Sequence, residues 1–266
     1  MAKKPEADGT VRLRMIVDAR PTNLALDDPP GVRLCTPEGL TRFEVGRPPN
    51  MNDDEFQKWL RDLEPSACLT DIADCFHRMR VSENLSEWFC LPPVRASVFQ
   101  ISSVGGSPVS PEDKVFPAFA CLPMGFSWSL FFAQRAGETI LSQVPGFHKD
   151  MIINDTSSPV ILGGPPRYFL YVDNLGVIGC GLSRTRDACD LADAELERKG
   201  LKTHGVEAHS HSADTLGITL DLDSGRTHIS QKRFWRISRG IDHSFRCGGV
   251  RVGPLKPLWG TAPLQG

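Results

Sequence analysis

Two short acidic segments contain the residue types and spacing that could carry out chemistry. Residues 70–76 read TDIADCF and follow an apolar run, and residues 171–174 read YVDN and lie between two apolar runs. A lone Asp at a strand end or a hairpin tip is also typical of a plain turn. If the strands lie side by side, however, Asp71 and Asp173 converge and can hold divalent ions. Two such ions, about 3.5–4 Å apart, would activate a 3′-hydroxyl and stabilise a leaving pyrophosphate.

The elements around these segments are predicted to present both carboxylates. Residues 67–72 have the apolar, β-rich character of a short strand, which places Asp71 at its end. Residues 168–172 and 175–178 are two further β-rich runs, separated by Asp173 and Asn174. Since Asp and Asn tolerate positive φ, they predict a tight hairpin with Asp173 at its tip.

The rest of the chain alternates helical and strand patterns. Asn52 or Asp53 is a candidate N-cap for the first long helix, and Gly200 is a candidate C-cap. Ser230 is a candidate cap for a basic helix. The predicted helices cover residues 53–64, 127–144, 186–199 and 231–241, and the remaining strands cover 12–17, 216–222 and 227–229.

Composition excludes several classes of protein. The chain has 266 residues, 40% of them hydrophobic, and a formal net charge of -2, which argues against a wholly basic nucleic-acid binder and against a disordered tail. No apolar run approaches the roughly 18 residues of a membrane helix, and no apolar core follows the first residues. We therefore expect an intracellular protein, nuclear or cytoplasmic, that is neither secreted nor bound to membranes.

Cysteine and histidine spacing does not predict a metal site. No two of the eight cysteines are separated by two residues, so we expect free thiols. His204, His209 and His211 lie close together without carboxylate or cysteine partners at ligand spacing, which favours a solvated loop.

The last 42 residues are strongly basic. Residues 225–266 contain eight Lys and Arg residues and a single acidic residue, Asp242. This pattern is compatible with an arm that holds a phosphate backbone, and equally with a solvated end. The basic residues of the predicted helix are Lys232, Arg233, Arg236 and Arg239.

The order of the motifs resembles the palm of a reverse transcriptase of the retrotransposon and retrovirus type. Residues 14–23, RMIVDARPTN, resemble the fingers pattern R-x-x-V-D-x-R-x-x-N. Five further segments resemble motifs A to E of that family, in the family's order: residues 71–76, 122–129 (LPMGFSWS), 171–174, 199–201 and 216–217. Each motif alone is a weak signal, whereas six in sequence order form a strong one.

The resemblance implies an α+β fold, with an antiparallel palm sheet backed by helices, partial fingers and a rudimentary thumb. It implies partial fingers over residues 1–50, a palm over 51–222, and a palm–thumb hairpin with a basic, incomplete thumb over 223–266. The implied cofactor is Mg²⁺ or Mn²⁺. The implied partners are an RNA or DNA template-primer and dNTP substrates.

The family also implies roles for individual residues. Asp71, Asp173 and Asn174 would form the catalytic, metal-binding set, together with the Ile72 carbonyl. The nucleotide-binding residues would be Arg14, Asp74, Cys75, Phe76, Met124 and Gly125. The backbone amides of Asp74 and Cys75 and the side chain of Arg14 would contact the triphosphate. Phe76 occupies the family's steric-gate position, where an aromatic ring selects deoxynucleotides. Nucleic acid would be bound by Arg20 and by the basic helix.

Three departures from the family pattern leave the activity open. Asn174 stands where the family usually has a second Asp, and Met124 stands where it usually has Gln, a hydrogen-bond donor. The motif D lysine, a possible general acid, has no clean match, and Lys202 and His204 are both candidates for its role. Three hypotheses follow: an active RNA-directed DNA polymerase domain, a catalytically degenerate retroelement remnant, and a non-catalytic nucleic-acid-binding module.

Overall fold

Helices and antiparallel sheets make up the fold in a computed structural model, which describes residues 16–41, 48–148, 153–154 and 164–246. The α-helices are α1 (Arg20–Ala25), α2 (Pro37–Thr41), α3 (Asp53–Asp62), α4 (Cys75–Arg78), α5 (Glu83–Ser86), α6 (Ser127–Leu141), α7 (Leu182–Arg198) and α8 (Gln231–Arg246). Within the described part of the chain, no helix is both long and apolar enough to cross a membrane.

Short strands pair in antiparallel fashion throughout. The strands are β1 (Pro65–Asp71), β2 (Val94–Arg95), β3 (Ser103–Val104), β4 (Ser107–Pro108), β5 (Lys114–Val115), β6 (Arg167–Tyr171), β7 (Asn174–Cys180), β8 (Glu207–His209), β9 (Ser212–Thr215), β10 (Ile218–Asp221) and β11 (Arg226–Ile229). Helices packed with antiparallel sheets confirm the predicted α+β class.

The chain divides into two compact units. The first comprises Met1–Pro30 and Ala73–Ala136, and the second comprises Gly31–Ile72 and Gly137–Gly266. One boundary follows Ile72, inside the segment that resembles motif A, and another falls within α6. The two acidic segments therefore contribute Asp71 and Asp173 to the second unit, and Asp74 to the first.

A four-stranded sheet of order β6-β7-β1-β8 is the centre of the second unit. β1 and β7 pair along their whole length, and the ladder starts at Pro65↔Cys180. Helix α7 buries Thr185, Cys189, Ala192 and Leu196 at spacings of four, three and four residues, the pattern of one helical face. That face packs against β1 and β7, so β1 is held between neighbouring strands and a covering helix.

The second unit also contains a three-stranded sheet of order β11-β10-β9. Ala213, Ile218 and Leu220 from this sheet belong to the same apolar core as Phe169 and Ile178 of the four-stranded sheet. The alternating burial of β9 and β10 explains this arrangement, because every second side chain points to the core.

The first unit has a smaller apolar core. It contains Ala19, Phe89 and Phe126, and the two phenylalanine rings meet edge to face with their centroids 4.9 Å apart. The paired strands β2–β5 and β3–β4 lie in the stretch between the motif A and motif B segments. The sequence patterns did not predict these short ladders, since each strand has only two residues.

Most predicted elements are present with shifted ends. Helix α3 is capped by Asn52, whose side chain accepts from the Glu55 amide at 2.9 Å while the Glu55 carboxylate accepts from the Asn52 amide. Helix α7 begins four residues before its predicted start. Residues 12–15 of the predicted first strand lie outside the described residues, and Ile16 and Val17 are not in a strand.

Candidate active site

The β1–β7 ladder brings the two predicted acidic segments to one edge of the four-stranded sheet. Its last pair is Asp71↔Asn174, and the Ile72 amide donates to the Asp173 carbonyl oxygen at 2.8 Å. The Asp71 side chain is 48% exposed, so its carboxylate is accessible to solvent and ligands. Two segments that are 100 residues apart in the chain are thereby fixed beside each other by backbone hydrogen bonds.

The hairpin that carries Asp173 turns one residue earlier than predicted. Tyr171 pairs with Asn174, so the turn residues are Val172 and Asp173, and the predicted Asp173–Asn174 tip is wrong. Val172 has a positive φ of 57° and is buried. A β-branched residue in this region carries backbone strain on the order of 1–3 kcal/mol. Burial of the Val172 side chain and the full Asp71↔Asn174 ladder offset that strain.

Asn174 is a direct neighbour of the Asp173 carboxylate. Its Nδ2 donates to Asp173 Oδ1 at 2.8 Å. The amide therefore satisfies one oxygen of Asp173 by hydrogen bonding, where a second Asp would place another negative charge.

His204 lies on the other side of Asp71. The His204 amide donates to the Asp71 carbonyl oxygen at 2.9 Å, and His204 Nε2 is 3.9 Å from Asp71 Oδ2. A β-bridge between Ile72 and Thr203 fixes this approach. Of the two predicted general-acid candidates, His204 is thus adjacent to the acidic edge, and Lys202 is exposed.

The donor atoms at this edge suit Mg²⁺ or Mn²⁺, which prefer oxygen ligands and commonly use only one or two protein carboxylates. Asp71 and Asp173 supply carboxylates, and Asn174 has an amide oxygen in addition to the nitrogen bonded to Asp173. Among the described residues there is no group of three or more His, Cys, Asp or Glu that could hold a metal ion. The residues therefore fit a centre with two carboxylates whose other ligands come from substrate and water.

A cavity of about 420 Å³ in the second unit opens next to these residues. Asp71, Asn174 and His204 line it. Leu216 and Gly217, which connect β9 to β10, and Lys232 in α8 line it as well. The cavity thus joins the acidic edge to the segment that resembles motif E.

The predicted nucleotide-binding residues described by the structure belong to the first unit. Asp74 is exposed, has φ 51°, and precedes α4 as its N-cap residue. Cys75 is buried and Phe76 is half-buried. The Arg78 Nε donates to the Ala73 carbonyl oxygen at 2.6 Å, which fixes the backbone just before Asp74. Arg14 lies outside the described residues.

Met124 and Gly125 form the turn that leads into α6. Met124 is half-buried, and Gly125 has φ 107°. A Cβ atom at Gly125 would lie 2.9 Å from the Val17 carbonyl oxygen, so only glycine allows this close approach. Sequence reasoning missed Asn23, which contacts the same turn, although Asn23 is the last residue of the predicted fingers pattern.

Arg20 is engaged by a neighbouring carboxylate. Its Nε and Nη2 donate to the two oxygens of Asp18 at 2.8 and 2.6 Å. These hydrogen bonds lower the pKa of Asp18 to about 2. Arg20 would therefore have to exchange this partner to bind a phosphate, as its predicted role requires.

The predicted basic residues of helix α8 do not all lie on the same face of the helix. Lys232, Arg236 and Arg239 lie along one exposed face at helical spacing, whereas Arg233 Nη1 donates to the Leu216 carbonyl oxygen at 3.2 Å. Arg246, one of the basic residues of the C-terminal segment, and His243, which the sequence patterns did not single out, extend the basic face. On the opposite side lie the exposed apolar residues Phe234, Ile237, Ile241 and Phe245.

Among known proteins, solved structures provide the informative comparison. The foamy viral protease-reverse transcriptase in complex with double-stranded DNA matches with a TM-score of 0.54 and 14% identity, over 88% of this chain and 31% of that chain. A prototype foamy virus protease-reverse transcriptase mutant matches with a TM-score of 0.46 and 13% identity, over 85% and 22% of the two chains. A Candida tropicalis telomerase truncated from its C-terminal domain matches with a TM-score of 0.39 and 12% identity, over 67% and 40%.

Only the first of these similarities exceeds a TM-score of 0.5, and the fold assignment rests on it. No protein-family model matches the chain, and no curated protein matches it. The chain spans about a third of the length of the foamy viral protein. Over that span, it has a reverse-transcriptase-like fold.

Proposed function

We propose that this chain is an RNA-directed DNA polymerase domain that extends a primer with dNTPs on an RNA or DNA template. The observation that carries the proposal is the Asp71↔Asn174 register with the Ile72–Asp173 hydrogen bond. In a reverse-transcriptase-like fold, this pairing supports a nucleotidyl-transfer centre built from the two acidic segments.

In this proposal Asp71 and Asp173 hold Mg²⁺ or Mn²⁺, with the Ile72 carbonyl and the Asn174 amide oxygen as neutral ligands. The bound ions supply the positive charge that activates the primer 3′-hydroxyl and neutralises the leaving pyrophosphate. The protein's own task is chiefly to position the reactants, since phosphoryl transfer needs few other reacting side chains. His204, next to Asp71, is the better placed of the two candidates for protonating the leaving group.

The nucleotide specificity would come from the first unit. As the family resemblance implies, the amides of Asp74 and Cys75 would contact the triphosphate, and Met124 and Gly125 would line the nucleotide pocket. By the same resemblance, the Phe76 ring would lie under the sugar and exclude a 2′-hydroxyl. A Phe76→Val variant should therefore incorporate ribonucleotides while keeping most of its activity with dNTPs, measured by single-nucleotide primer extension.

The template-primer would be bound by Arg20 and by the basic face of α8. Exposed cations at helical spacing suit a phosphate backbone, and binding should weaken steeply with salt. We propose that the primer end occupies the cavity of about 420 Å³ that Asp71 and Gly217 line. The foamy viral protein with the similar fold was solved with double-stranded DNA, which supports this class of partner.

Primer extension by the purified protein tests the proposal. The wild type should extend a primer with dNTPs in Mg²⁺ or Mn²⁺, whereas Asp71→Asn and Asp173→Asn should lose at least about 100-fold in rate, since removing one stabilising group in a transition state costs that much. Asp187→Asn, an exposed carboxylate on α7, is the matched control. The proposal is wrong if the wild type incorporates no more nucleotide than the Asp71→Asn variant.

The basic face of α8 favours a second candidate, a non-catalytic nucleic-acid-binding module. This function needs neither Asp71 nor Asp173. It predicts binding of RNA or DNA that survives Asp71→Ala and weakens in an Arg236→Ala/Arg239→Ala variant, as measured by fluorescence anisotropy at several salt concentrations. The same binding without any extension by the wild type would favour this candidate, or the degenerate remnant, over the polymerase.

A further inference from the structure

The Asn23 side chain bridges two positions of the Met124–Gly125 turn. Its Nδ2 donates to the Gly125 carbonyl oxygen at 2.9 Å, and its Oδ1 accepts from the Ser127 amide, also at 2.9 Å. The carboxamide thus satisfies one acceptor of the turn and the first free amide of α6 at the same time. These contacts span more than 100 residues of sequence, all within the first unit.

Two other hydrogen bonds hold the residue that precedes the turn. Ser129 Oγ donates to the Pro123 carbonyl oxygen at 2.8 Å, and the Phe126 amide donates to the same oxygen at 3.3 Å. Both bonds hold Pro123, which precedes Met124. Gly125 itself accepts the Asn23 hydrogen bond and lies close to the Val17 carbonyl oxygen.

Asn23 is itself firmly placed. Its amide donates to the Ala19 carbonyl oxygen at 2.8 Å, and Ala19 packs in the apolar core with Phe126. The neighbouring Thr22 is buried and donates to the Trp88 carbonyl oxygen at 3.0 Å. The Trp128 Nε1 donates to the Asp27 carbonyl oxygen at 2.7 Å, so a second bond ties α6 to the end of the same segment.

We propose that Asn23 is a positioning residue that sets the conformation of Met124 and Gly125 for the incoming nucleotide. The inference rests on the proposed polymerase function and deepens it. Asparagine is the side chain of this length that donates and accepts at once: an ionised Asp only accepts, and Leu does neither. Because Asn23 acts through the turn, its loss should change the affinity for dNTP rather than the binding of template-primer.

Steady-state primer extension with Asn23→Leu and Asn23→Asp tests this role. Losing two hydrogen bonds should raise the KM for dNTP about 25-fold in Asn23→Leu, because each is worth roughly a factor of five. The Kd for template-primer should stay near the wild-type value, because the Asn23 side chain acts through the turn. Asn84→Asp, an exposed asparagine in α5, is the matched control.

The pH dependence of Asn23→Asp distinguishes positioning from a general loss of structure. A protonated Asp has the shape of Asn and can again donate to the Gly125 carbonyl oxygen, and that bond favours the neutral form. The ratio of the dNTP KM of Asn23→Asp to that of the wild type should therefore fall towards 1 as the pH is lowered. The same ratio for Asn23→Leu should stay constant. Faster hydrogen exchange of the Ser127 amide in Asn23→Leu, with a similar Tm, gives a readout independent of turnover.

The outcomes separate this inference from the proposed function. If the wild type extends primers and both Asn23 variants keep the wild-type KM for dNTP, the positioning role is refuted and the polymerase stands. If the variants lose kcat, primer binding and Tm together, with no pH-dependent recovery of Asn23→Asp, Asn23 is merely structural. If the wild type neither extends a primer nor binds Mg²⁺-dNTP, the proposed function fails and this inference with it.

Discussion

Replacing Asn174 with Asp places a second carboxylate next to Asp173 and should make the protein depend on metal for stability. In the present structure the Asn174 amide donates to Asp173 at 2.8 Å, and Asn174 pairs in register with Asp71. An Asp at this position replaces a favourable hydrogen bond by a carboxylate that faces two others. Without metal, we expect the variant to unfold more easily than the wild type.

The size of the effect follows from the geometry. Two unit charges about 4 Å apart repel by ~1 kcal/mol in water and ~4 kcal/mol at an effective dielectric constant of 20. Since the Asp71 side chain is half exposed, the lower part of that range applies, and we expect a loss of about 1–2 kcal/mol in the metal-free free energy of unfolding. A divalent ion reverses the sign, so Mg²⁺ should bind the variant on the order of 10-fold more tightly.

Urea unfolding in EDTA and in millimolar Mg²⁺, together with calorimetric Mg²⁺ titration, measures both quantities. Asn84→Asp makes the same substitution away from this edge and should show neither change. Equal metal-free stability and equal Mg²⁺ affinity in Asn174→Asp and wild type would refute the assignment of these residues to a metal centre.

Two further predictions concern packing and thiol chemistry. Gly176→Ala should lower the free energy of unfolding in urea by about 1–3 kcal/mol, because the new Cβ would overlap the buried Phe169 ring. Gly240→Ala in α8, where a Cβ meets nothing within 4 Å, should instead raise the free energy of unfolding by about 0.5–1 kcal/mol. Loss of the same stability in both variants would contradict this account. At about pH 8, iodoacetamide should label the exposed Cys90 well before Cys35, because burial raises the pKa of the Cys35 thiol to about 12. Site-resolved mass spectrometry measures the order of labelling, and labelling of Cys35 first would contradict the prediction.

Local patterns predicted three of the four strands of the central sheet and its acidic edge, whereas β8, which contains His209, was predicted as a solvated loop. The strand of Asp71, the hairpin of Asp173 and helices α3, α6 and α7 all follow from apolar periodicity and capping residues. The hairpin turn was misplaced by one residue because Asn and Asp favour turns locally, whereas the ladder with β1 holds Asn174 in the strand. Nothing in the sequence identifies Val172 as a residue that accepts positive φ.

Long-range contacts decided what the sequence could not predict. The residues that follow the predicted first strand were assigned to neither a helix nor a strand, yet residues 20–25 form a helix whose Thr22 and Asn23 bond to Trp88 and Gly125. Arg233 has the same local character as Arg236, yet only Arg233 turns back to the β9–β10 connection. Such choices depend on partners that are distant in the sequence, which periodicity and spacing do not encode.

Gly176 affects the position of Asn174, which lies two residues before it in β7. If β7 slipped by one residue along β1 and β6, every side chain of β7 would change faces, and Leu175 or Val177 would replace Gly176 opposite Phe169. The Phe169 ring fills the space that either side chain would need. Gly176, which has no side chain, thus fixes the register of β7 in the sheet. This register keeps Asn174 opposite Asp71.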